Sequence, residues 1–504
     1  MTRPGTYDRP APPTAARPAP ALAGTPDGMA EVLRLVTAAL TETAAGDRSR
    51  GGPAPAGGPD TVTAGTASAL GPVLPDVGVG ADQALRTLAR SVAAGSVNPA
   101  HPYCVAHLHA PPLAVAVAAD LVAGVLNASL DSWDQAPSAS ALERAVTGEL
   151  ARLAYPVAPA SDALVTTGGT ESNLVATLLA RERVRLAGRP DAQAALRVVC
   201  GDNAHHSVPR AAWQLGLPPA LVVPSRDGVL HPVDVAAALA GLDTPVLLVA
   251  TAGTTDRGAL DPLPALAGLA RSRGAMFHVD AAYGGALLLS ERRRALLTGL
   301  DRADTVGLDL HKLGWQPLAA GLLAVRDAGW LAPLDLTADY LNADDDVAAG
   351  LPSLLGRSIR TSRRADVVKI AVTLRALGRS GLGDLVDRCC DLARAFAAEV
   401  RARPRVQLRE VPTLSTVLFR PAPARPGGRV ADDLIAEVRR RLLHRGVAVL
   451  GRATLPGPHG DESWLKVTVL NPYTTIGELA ALLDLVEATY ADLCDDRTDQ
   501  EETT

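Results

Sequence analysis

Short apolar runs alternate with helical patterns through the middle of the chain. The runs are apolar throughout and do not alternate with polar residues, which is typical of strands buried on both faces of a sheet. Their spacing matches strand–helix units and predicts an α/β fold with a mainly parallel sheet between helices. The runs are ALVT (163–166), RVVC (197–200), PVLLVAT (245–251), AMFHV (275–279), DTVGL (304–308) and GLLAVR (321–326).

The pattern changes after about residue 385. Apolar runs at 415–420, 446–451 and 464–470 indicate strands, and amphipathic segments at 432–446 and 476–493 indicate helices. This alternation predicts a large domain over 111–385 and a small C-terminal α/β domain with an antiparallel sheet over 386–494.

The two ends of the chain have a different composition. Residues 1–28 are rich in Pro, Ala and Gly and are expected to be a disordered tail. A helical pattern starts at Met29, a candidate start of translation, and a Gly/Pro-rich linker follows over 46–78, so 29–110 is predicted to form an N-terminal arm. The acidic residues 495–504 are expected to fray.

Composition narrows the class of protein. The chain has 504 residues, of which 47% are hydrophobic and 20% charged, with a net charge of −5, which is typical of a globular enzyme. The mildly acidic balance argues against a nucleic-acid binder, and no apolar run is long enough to span a membrane. The five cysteines form no C-x-x-C, the histidines form no H-E-x-x-H, and no secretory signal pattern is present. We therefore expect a cytoplasmic protein with reduced thiols and no metal site.

Polar clusters directly follow five of the apolar runs. Since ligands bind outside the carboxyl ends of strands in open α/β sheets, these clusters are expected to converge on one crevice. The clusters are TGGTESN, GDNAHH, AGTTD, DAAYGG and DLHK.

Two of these clusters contain residues suited to bind a phosphate and a flat heterocyclic ring. Gly169 and Thr170 lie between a strand and a helix, where glycine allows close approach and the helix N-terminus attracts a phosphate. Asp280 ends a buried strand and needs a partner, and Ala281 and Ala282 leave room for a flat ring, so a protonated heterocyclic nitrogen would suit it. The alternatives are an ordinary glycine-rich turn and a helix N-cap aspartate.

Lysine chemistry has few candidates, because the chain contains only Lys312, Lys369 and Lys466. Lys312 follows a strand among small apolar residues, where a lysine readily loses its proton and forms a Schiff base with an aldehyde. Lys369 lies in a helical pattern and Lys466 in a small-domain strand, so both fit less well. His205 follows another strand and is a candidate to stack on a ring or transfer protons. A surface lysine and a core histidine are the plainer alternatives.

Together these residues specify pyridoxal phosphate, which requires a lysine, an acid facing the pyridine nitrogen and an anion cradle. HVDAAYGG (278–285) and the pair His311–Lys312 resemble the signature of the pyridoxal-phosphate-dependent group II decarboxylases, of the fold-type I superfamily. The resemblance extends from about His101 to about Tyr490. Within this family, further segments of the chain resemble the bacterial diaminobutyrate decarboxylases and the siderophore-pathway diamine-forming decarboxylases most. These are HPYCVAHLHAPP (101–112), LNASLDSWDQAPSASALE (126–143), TTGGTESNL (166–174), LHKLGWQP (310–317), SIRTSRRADVVK (358–369) and WLKVTVLNPYTT (464–475).

The resemblance implies roles for individual residues. Lys312 is similar to the Schiff-base lysine, Asp280 to the partner of the pyridine nitrogen, and His205 and Ala282 to the residues on the two ring faces. Phosphate-side contacts are implied for Gly169, Thr170 and His311, and a hydroxyl near the cofactor for Thr255. The family also implies a homodimer in which an N-terminal segment wraps the partner.

Some positions depart from the family pattern. Asp309-Leu310 stands before His311 where relatives often carry Asn-Pro, which puts one phosphate contact in question. The loop over 342–358 lacks the tyrosine that many members use to protonate the substrate carbon, which leaves Tyr340 and His205 as candidates.

Substrate-side candidates are Asp131 and His109. Asp131 occupies a position where aromatic-specific relatives are expected to carry phenylalanine, and an acid there would favour a cationic side chain. A surface or capping aspartate is the alternative.

The predicted function is decarboxylation of a small basic L-amino acid, namely 2,4-diaminobutyrate, lysine or ornithine, to an amine and CO₂. A glutamate or aromatic decarboxylase is one alternative, and an aldehyde-lyase or aminotransferase of the same fold is another. A catalytically silent binding protein is a third, against which the intact Lys312 and Asp280 argue.

Overall fold

A seven-stranded sheet forms the centre of the protein in the computed structural model, which describes residues 22–24, 26–188, 193–335, 341, 343–422, 432–458 and 460–502. The strand order is β1-β7-β6-β5-β4-β2-β3; β7 is antiparallel to both neighbours and the other pairs are parallel. The predicted mainly parallel α/β fold is confirmed. The strands are β1 Asp162–Thr166, β2 Arg197–Gly201, β3 Leu221–Val223, β4 Val246–Thr251, β5 Met276–Ala281, β6 Thr305–Asp309 and β7 Gly321–Val325.

Helices cover both faces of this sheet, and every residue of β4 is buried. The α-helices are α1 Pro26–Arg50, α2 Gly58–Leu70, α3 Ala81–Gly95, α4 Ala114–Leu126, α5 Pro137–Ala154, α6 Gly169–Leu186, α7 Ser207–Gln214, α8 Pro232–Ala240, α9 Leu263–Ser272, α10 Asp344–Ala348, α11 Val367–Ala402, α12 Asp432–His444 and α13 Ile476–Glu502. Short 3₁₀ helices span Gly284–Leu289, Arg294–Leu297, Leu300–Arg302, Ala328–Leu334 and Leu355–Arg357. Within the described ranges, no helix is both long and apolar enough to cross a membrane.

A second, antiparallel sheet of four strands lies in the C-terminal part, in the order β10-β11-β9-β8. Its strands are β8 Val406–Leu408, β9 Thr416–Pro421, β10 Gly451–Gly457 and β11 Gly460–Thr468. The strand predicted over 446–451 is misplaced, because β10 starts where that run ends. Val449 exchanges backbone hydrogen bonds with Tyr103 and Val105 of the N-terminal segment, so the apolar residues there reflect burial and not membership of this sheet.

Three predicted boundaries differ from the structure. The predicted linker 46–78 contains α2, which has no buried side chain and therefore leaves no amphipathic signal. The predicted domain boundary after residue 385 falls inside α11, where Gly378 has a φ of +66° and interrupts the helix seven residues earlier. The predicted fraying end continues as α13 to Glu502, and ion pairs from Arg441 to Asp496 and from Arg497 to Asp433 bind it to α12. Most of the predicted tail 1–28 lies outside the described residues, and α1 already starts at Pro26.

Candidate active site

The carboxyl ends of the central strands surround a cavity of about 380 Å³. Because the parallel strands end at the same edge of the sheet, side chains far apart in the sequence meet there. All eight residues predicted to contact the cofactor line this cavity: Gly169, Thr170, His205, Thr255, Asp280, Ala282, His311 and Lys312.

The Asp280 carboxylate is held from both sides. It accepts a hydrogen bond from Nδ2 of Asn173 at 2.8 Å and another from the backbone N–H of Ala282 at 3.1 Å. Asp280 lies within β5, and the next helix starts only at Gly284, so the alternative of a helix cap does not apply. The buried carboxylate has a fixed orientation at the cavity wall, as an acid facing a ring nitrogen requires.

A polar network that the sequence did not reveal supports Asp280. Asn173 Oδ1 lies 2.9 Å from His278 Nε2, and His278 Nδ1 lies 2.8 Å from Thr305 Oγ1. Burial lowers the pKa of His278, so its ring is neutral, with Nε2–H donating to Asn173 and Nδ1 accepting from Thr305. The only sequence signal was a polar residue on the buried face of α6.

The same asparagine connects Asp280 to His205. Asn173 Nδ2 also donates to Ser207 Oγ at 2.8 Å, and Ser207 Oγ lies 2.8 Å from His205 Nδ1. Burial lowers the pKa of His205, while the nearby Asp280 charge acts in the opposite direction. The His205 ring is thereby oriented through Nδ1, which leaves Nε2 as its free nitrogen.

Only one of the three lysines lines the cavity. Lys312 Nζ lies 2.9 Å from Oδ2 of Asp309. Lys369 is fully buried on α11 against Asp120 and Asp366, at 3.0 and 3.1 Å. Lys466 of β11 donates to the carbonyl of Thr255 at 3.2 Å and so fixes the loop after β4 from the C-terminal sheet.

The start of α6 forms an anion cradle. Its first backbone N–H groups have no carbonyl partner within the helix, and no side chain caps them. A Cβ at Gly168 would lie 2.9 Å from His311 Cε1, and one at Gly169 would lie 3.0 Å from the Ala282 Cβ. A larger side chain at either position would therefore fill the space that a phosphate needs. Together with Lys312 and Asp280, this anion cradle makes the site fit pyridoxal phosphate.

Two of the three substrate-side candidates, Asp131 and His109, do not line this cavity. The Asp131 carboxylate is buried and accepts hydrogen bonds from Gln135 at 2.9 Å and Ser362 at 3.4 Å, so within one chain it is neither a surface nor a cavity residue. His109 is exposed, and its neighbour Leu108 lines the cavity instead. Tyr340 lies outside the described residues.

Residues 74–422 match the family model described as the pyridoxal-dependent decarboxylase conserved domain. The chain belongs to the pyridoxal-dependent decarboxylase family. This confirms the predicted resemblance, the pyridoxal phosphate cofactor and the class of the enzyme, an amino-acid carboxy-lyase.

Individual relatives agree with this membership. The chain is 40% identical to an L-2,4-diaminobutyrate decarboxylase of Rhizobium meliloti (strain 1021) over 83% of this chain and 84% of that protein. It is 32% identical to an L-2,4-diaminobutyrate decarboxylase of Acinetobacter baumannii over 82% and 84%.

A solved structure agrees with the fold. It is the glutamate decarboxylase domain of the diaminobutyrate-pyruvate transaminase and L-2,4-diaminobutyrate decarboxylase from Vibrio parahaemolyticus. The TM-score is 0.78 at 30% identity, with 92% of this chain and 96% of that chain covered.

Proposed function

We propose that this decarboxylase acts on L-2,4-diaminobutyrate and releases CO₂ and a diamine. The observation that carries the proposal is the 40% identity to a diaminobutyrate decarboxylase over most of both chains. Lysine and ornithine, which also carry a cationic side chain, are the next candidates.

The charged side chains around the site support a substrate with a cationic side chain. A second cavity of about 630 Å³ adjoins the first and shares His205 and Thr255 with it; we call it the outer cavity. Of its two arginines, Arg257 is ion-paired with Glu410, and Arg409 lies 5.6 Å over the Trp464 ring. An ammonium group entering here meets carboxylates. The acidic residues of the lining are Asp202, Asp227 and Asp256, of which Asp256 is ion-paired with Lys466 at 2.8 Å.

The cofactor, when bound, supplies an electron-withdrawing ring for the pair of electrons left at Cα when the bond to the carboxylate breaks. We assign Lys312 to hold its aldehyde carbon, Asp280 to keep its ring nitrogen protonated, and His205 and Ala282 to cover its two faces. The hydrogen bonds from Asn173 keep the Asp280 carboxylate aimed at the ring while charge develops there.

The residues that contact the cofactor phosphate and the residue that donates a proton to Cα complete the assignment of roles. Gly169, Thr170 and His311 are assigned to the phosphate, and Thr255 to a hydroxyl contact at the rim. We assign the proton that returns to Cα to Nε2 of His205, because Nδ1 is already bonded to Ser207.

The deciding experiment compares wild type with Lys312→Ala on one panel of substrates. Visible absorbance with added pyridoxal phosphate should show a cofactor band in wild type that Lys312→Ala loses. Lys466→Arg conserves the positive charge of a lysine outside the cavity and should retain this band. CO₂ release should be fastest from diaminobutyrate among diaminobutyrate, lysine, ornithine, glutamate and aromatic amino acids. Release only from glutamate or an aromatic amino acid would overturn the substrate assignment.

We further propose that the enzyme is a cytoplasmic homodimer. Leu318 lines the cofactor cavity and is 71% exposed, so a second copy would cover an apolar side chain at the site. Further apolar surface is exposed on α4, at Val117, Leu121 and Leu126. None of the five cysteines forms a disulfide bond within the described part of the chain. Sedimentation at micromolar concentration should give twice the chain mass, and a monomer at that concentration would contradict the proposal.

A further inference from the structure

The side chain of Asp309 is a buried carboxylate in the anion cradle at the start of α6. It ends β6, its side chain is 3% exposed, and it lines the cofactor cavity. A Cβ at Gly169 would lie 3.3 Å from Oδ2, and one at Gly168 would lie 3.7 Å from Oδ1. The carboxylate is therefore next to the helix start that we assign to the phosphate.

The two oxygens of Asp309 differ in their partners. Oδ2 lies 2.9 Å from Lys312 Nζ and 3.5 Å from His311 Nε2. Oδ1 is buried and has no hydrogen-bond partner among the described residues. A buried acceptor without a donor is costly, so Oδ1 requires a donor from whatever occupies the cradle.

A fully ionised phosphate cannot supply that donor. Its oxygens only accept hydrogen bonds, and its two negative charges would repel the carboxylate at short range. A phosphate that keeps one proton has an O–H group to donate and one charge fewer. The other charged or titratable side chains near Asp309 are His311 and Lys312 on its own loop and His205 from the loop after β2. Asp280 and His206 lie close to His205, and Lys369 of α11 lies close to His311.

We propose that this enzyme binds the cofactor phosphate with one proton, which lies between a phosphate oxygen and Oδ1 of Asp309. Asp309 thus acts as a positioning residue that selects the protonated phosphate. The proton comes from water as the cofactor binds. An asparagine at this position would donate its amide hydrogens to the dianion, with no proton taken up. The proposal rests on the placement of the phosphate at the start of α6.

Phosphorus-31 NMR of the holoenzyme at pH 8 tests this directly. Free pyridoxal phosphate at pH 8 and at pH 4 provides the dianion and monoanion references, since the second phosphate pKa is about 6. We expect the wild-type resonance near the monoanion reference and the Asp309→Asn resonance near the dianion reference. Asp162→Asn, which removes a carboxylate at the start of β1, at the opposite edge of the sheet, should match wild type.

A wild-type resonance at the dianion position, or the same position in wild type and Asp309→Asn, would overturn the proposal. The wild-type spectrum decides the matter even if the variant does not fold, and Asp309→Ser removes the same charge with a smaller side chain. Decarboxylation is not the readout, so this failure leaves the proposed substrate untouched.

Affinity for the cofactor gives an independent measurement. At pH 8, Asp309→Asn should bind pyridoxal phosphate at least about tenfold more tightly than wild type, because the dianion no longer has to be protonated. Pyridoxal, which has no phosphate, should bind both proteins within about twofold. An equal change for both ligands would assign the effect to the lost contact with Lys312 and would contradict the proposal.

Discussion

Asn173 is the residue on which the orientation of Asp280 depends. Asn173→Ala removes the donor to the Asp280 carboxylate and the acceptor for His278 Nε2. We expect kcat/KM to fall by at least about tenfold, a loss of about 1.4 kcal/mol of transition-state stabilisation, because one of two hydrogen bonds to a buried carboxylate is gone. The cofactor absorbance band should remain, since Lys312 and the cradle are intact. Steady-state kinetics and absorbance on one preparation measure both.

The matched control is Thr177→Val, one turn later on the same buried face of α6. Thr177 bonds only the carbonyl of Asn173, so its loss should leave kcat/KM within about threefold of wild type. Equal effects of the two substitutions would mean that general damage to α6, and not the orientation of Asp280, explains the loss.

Among individual residues, the sequence predicted the site residues that follow strands and missed the residues that hold those side chains in place. Lys312 and Asp280 were identifiable because chemistry needs their residue types at strand ends. Asn173 lies on a helix and His278 inside a strand, where the sequence pattern distinguishes only buried from exposed faces. The charge of Asp309 was visible in the sequence, but its unpartnered oxygen depends on how β6 packs against α6.

Tyr283 joins the end of β5 to the C-terminal sheet. Its hydroxyl lies 2.9 Å from Ser415 Oγ and 3.0 Å from Thr416 Oγ1, and it accepts from the backbone N–H of Ser415 at 3.1 Å. Tyr283→Phe should lower the free energy of unfolding by about 1–3 kcal/mol, because the buried hydroxyl and backbone N–H of Ser415 lose their partner, while Thr416 keeps its contact with Thr468. Urea denaturation measures this loss.

A tyrosine on the surface provides the comparison. Tyr473 is 67% exposed, and Tyr473→Phe should change the free energy of unfolding by less than about 0.5 kcal/mol. If Tyr283→Phe is as mild as this control, the hydroxyl does not stabilise the contact between β5 and the C-terminal sheet.

The accuracy of the predicted elements follows from how each is buried. Strands β1, β2 and β4 to β7 were predicted within two residues at each end, because strands covered on both faces give continuous apolar runs. β3 has only three residues, one of them exposed, and gives no such run. The run at 446–451 is equally apolar, but it is buried by a distant segment of the chain. Sequence periodicity does not distinguish these two causes of burial.

The whole molecule should lose stability as the pH falls below neutrality. Burial lowers the pKa of five histidines in the described part of the chain: His101, His107, His205, His278 and His311. Below about pH 6.5 the unfolded chain therefore binds more protons than the folded chain, and unfolding is favoured.

Burial lowers the pKa of His278 to about 4, so this ring stays neutral in the folded state over this range and contributes about 1.4 kcal/mol per pH unit to the loss. The free energy of unfolding should be constant from about pH 8 to 7 and fall between about pH 6.5 and 5.5, a window above the range where most carboxylates titrate. His278 is fully buried among Asn173 and Thr305, so His278→Gln, which keeps hydrogen-bonding groups but does not titrate, should flatten the slope by about 1 kcal/mol per pH unit. Urea denaturation at constant protein and cofactor concentration across these pH values gives both slopes. Parallel slopes would show that His278 takes up its proton in the folded protein as readily as in the unfolded chain, and would place the pH sensitivity in the other four histidines or in cofactor binding.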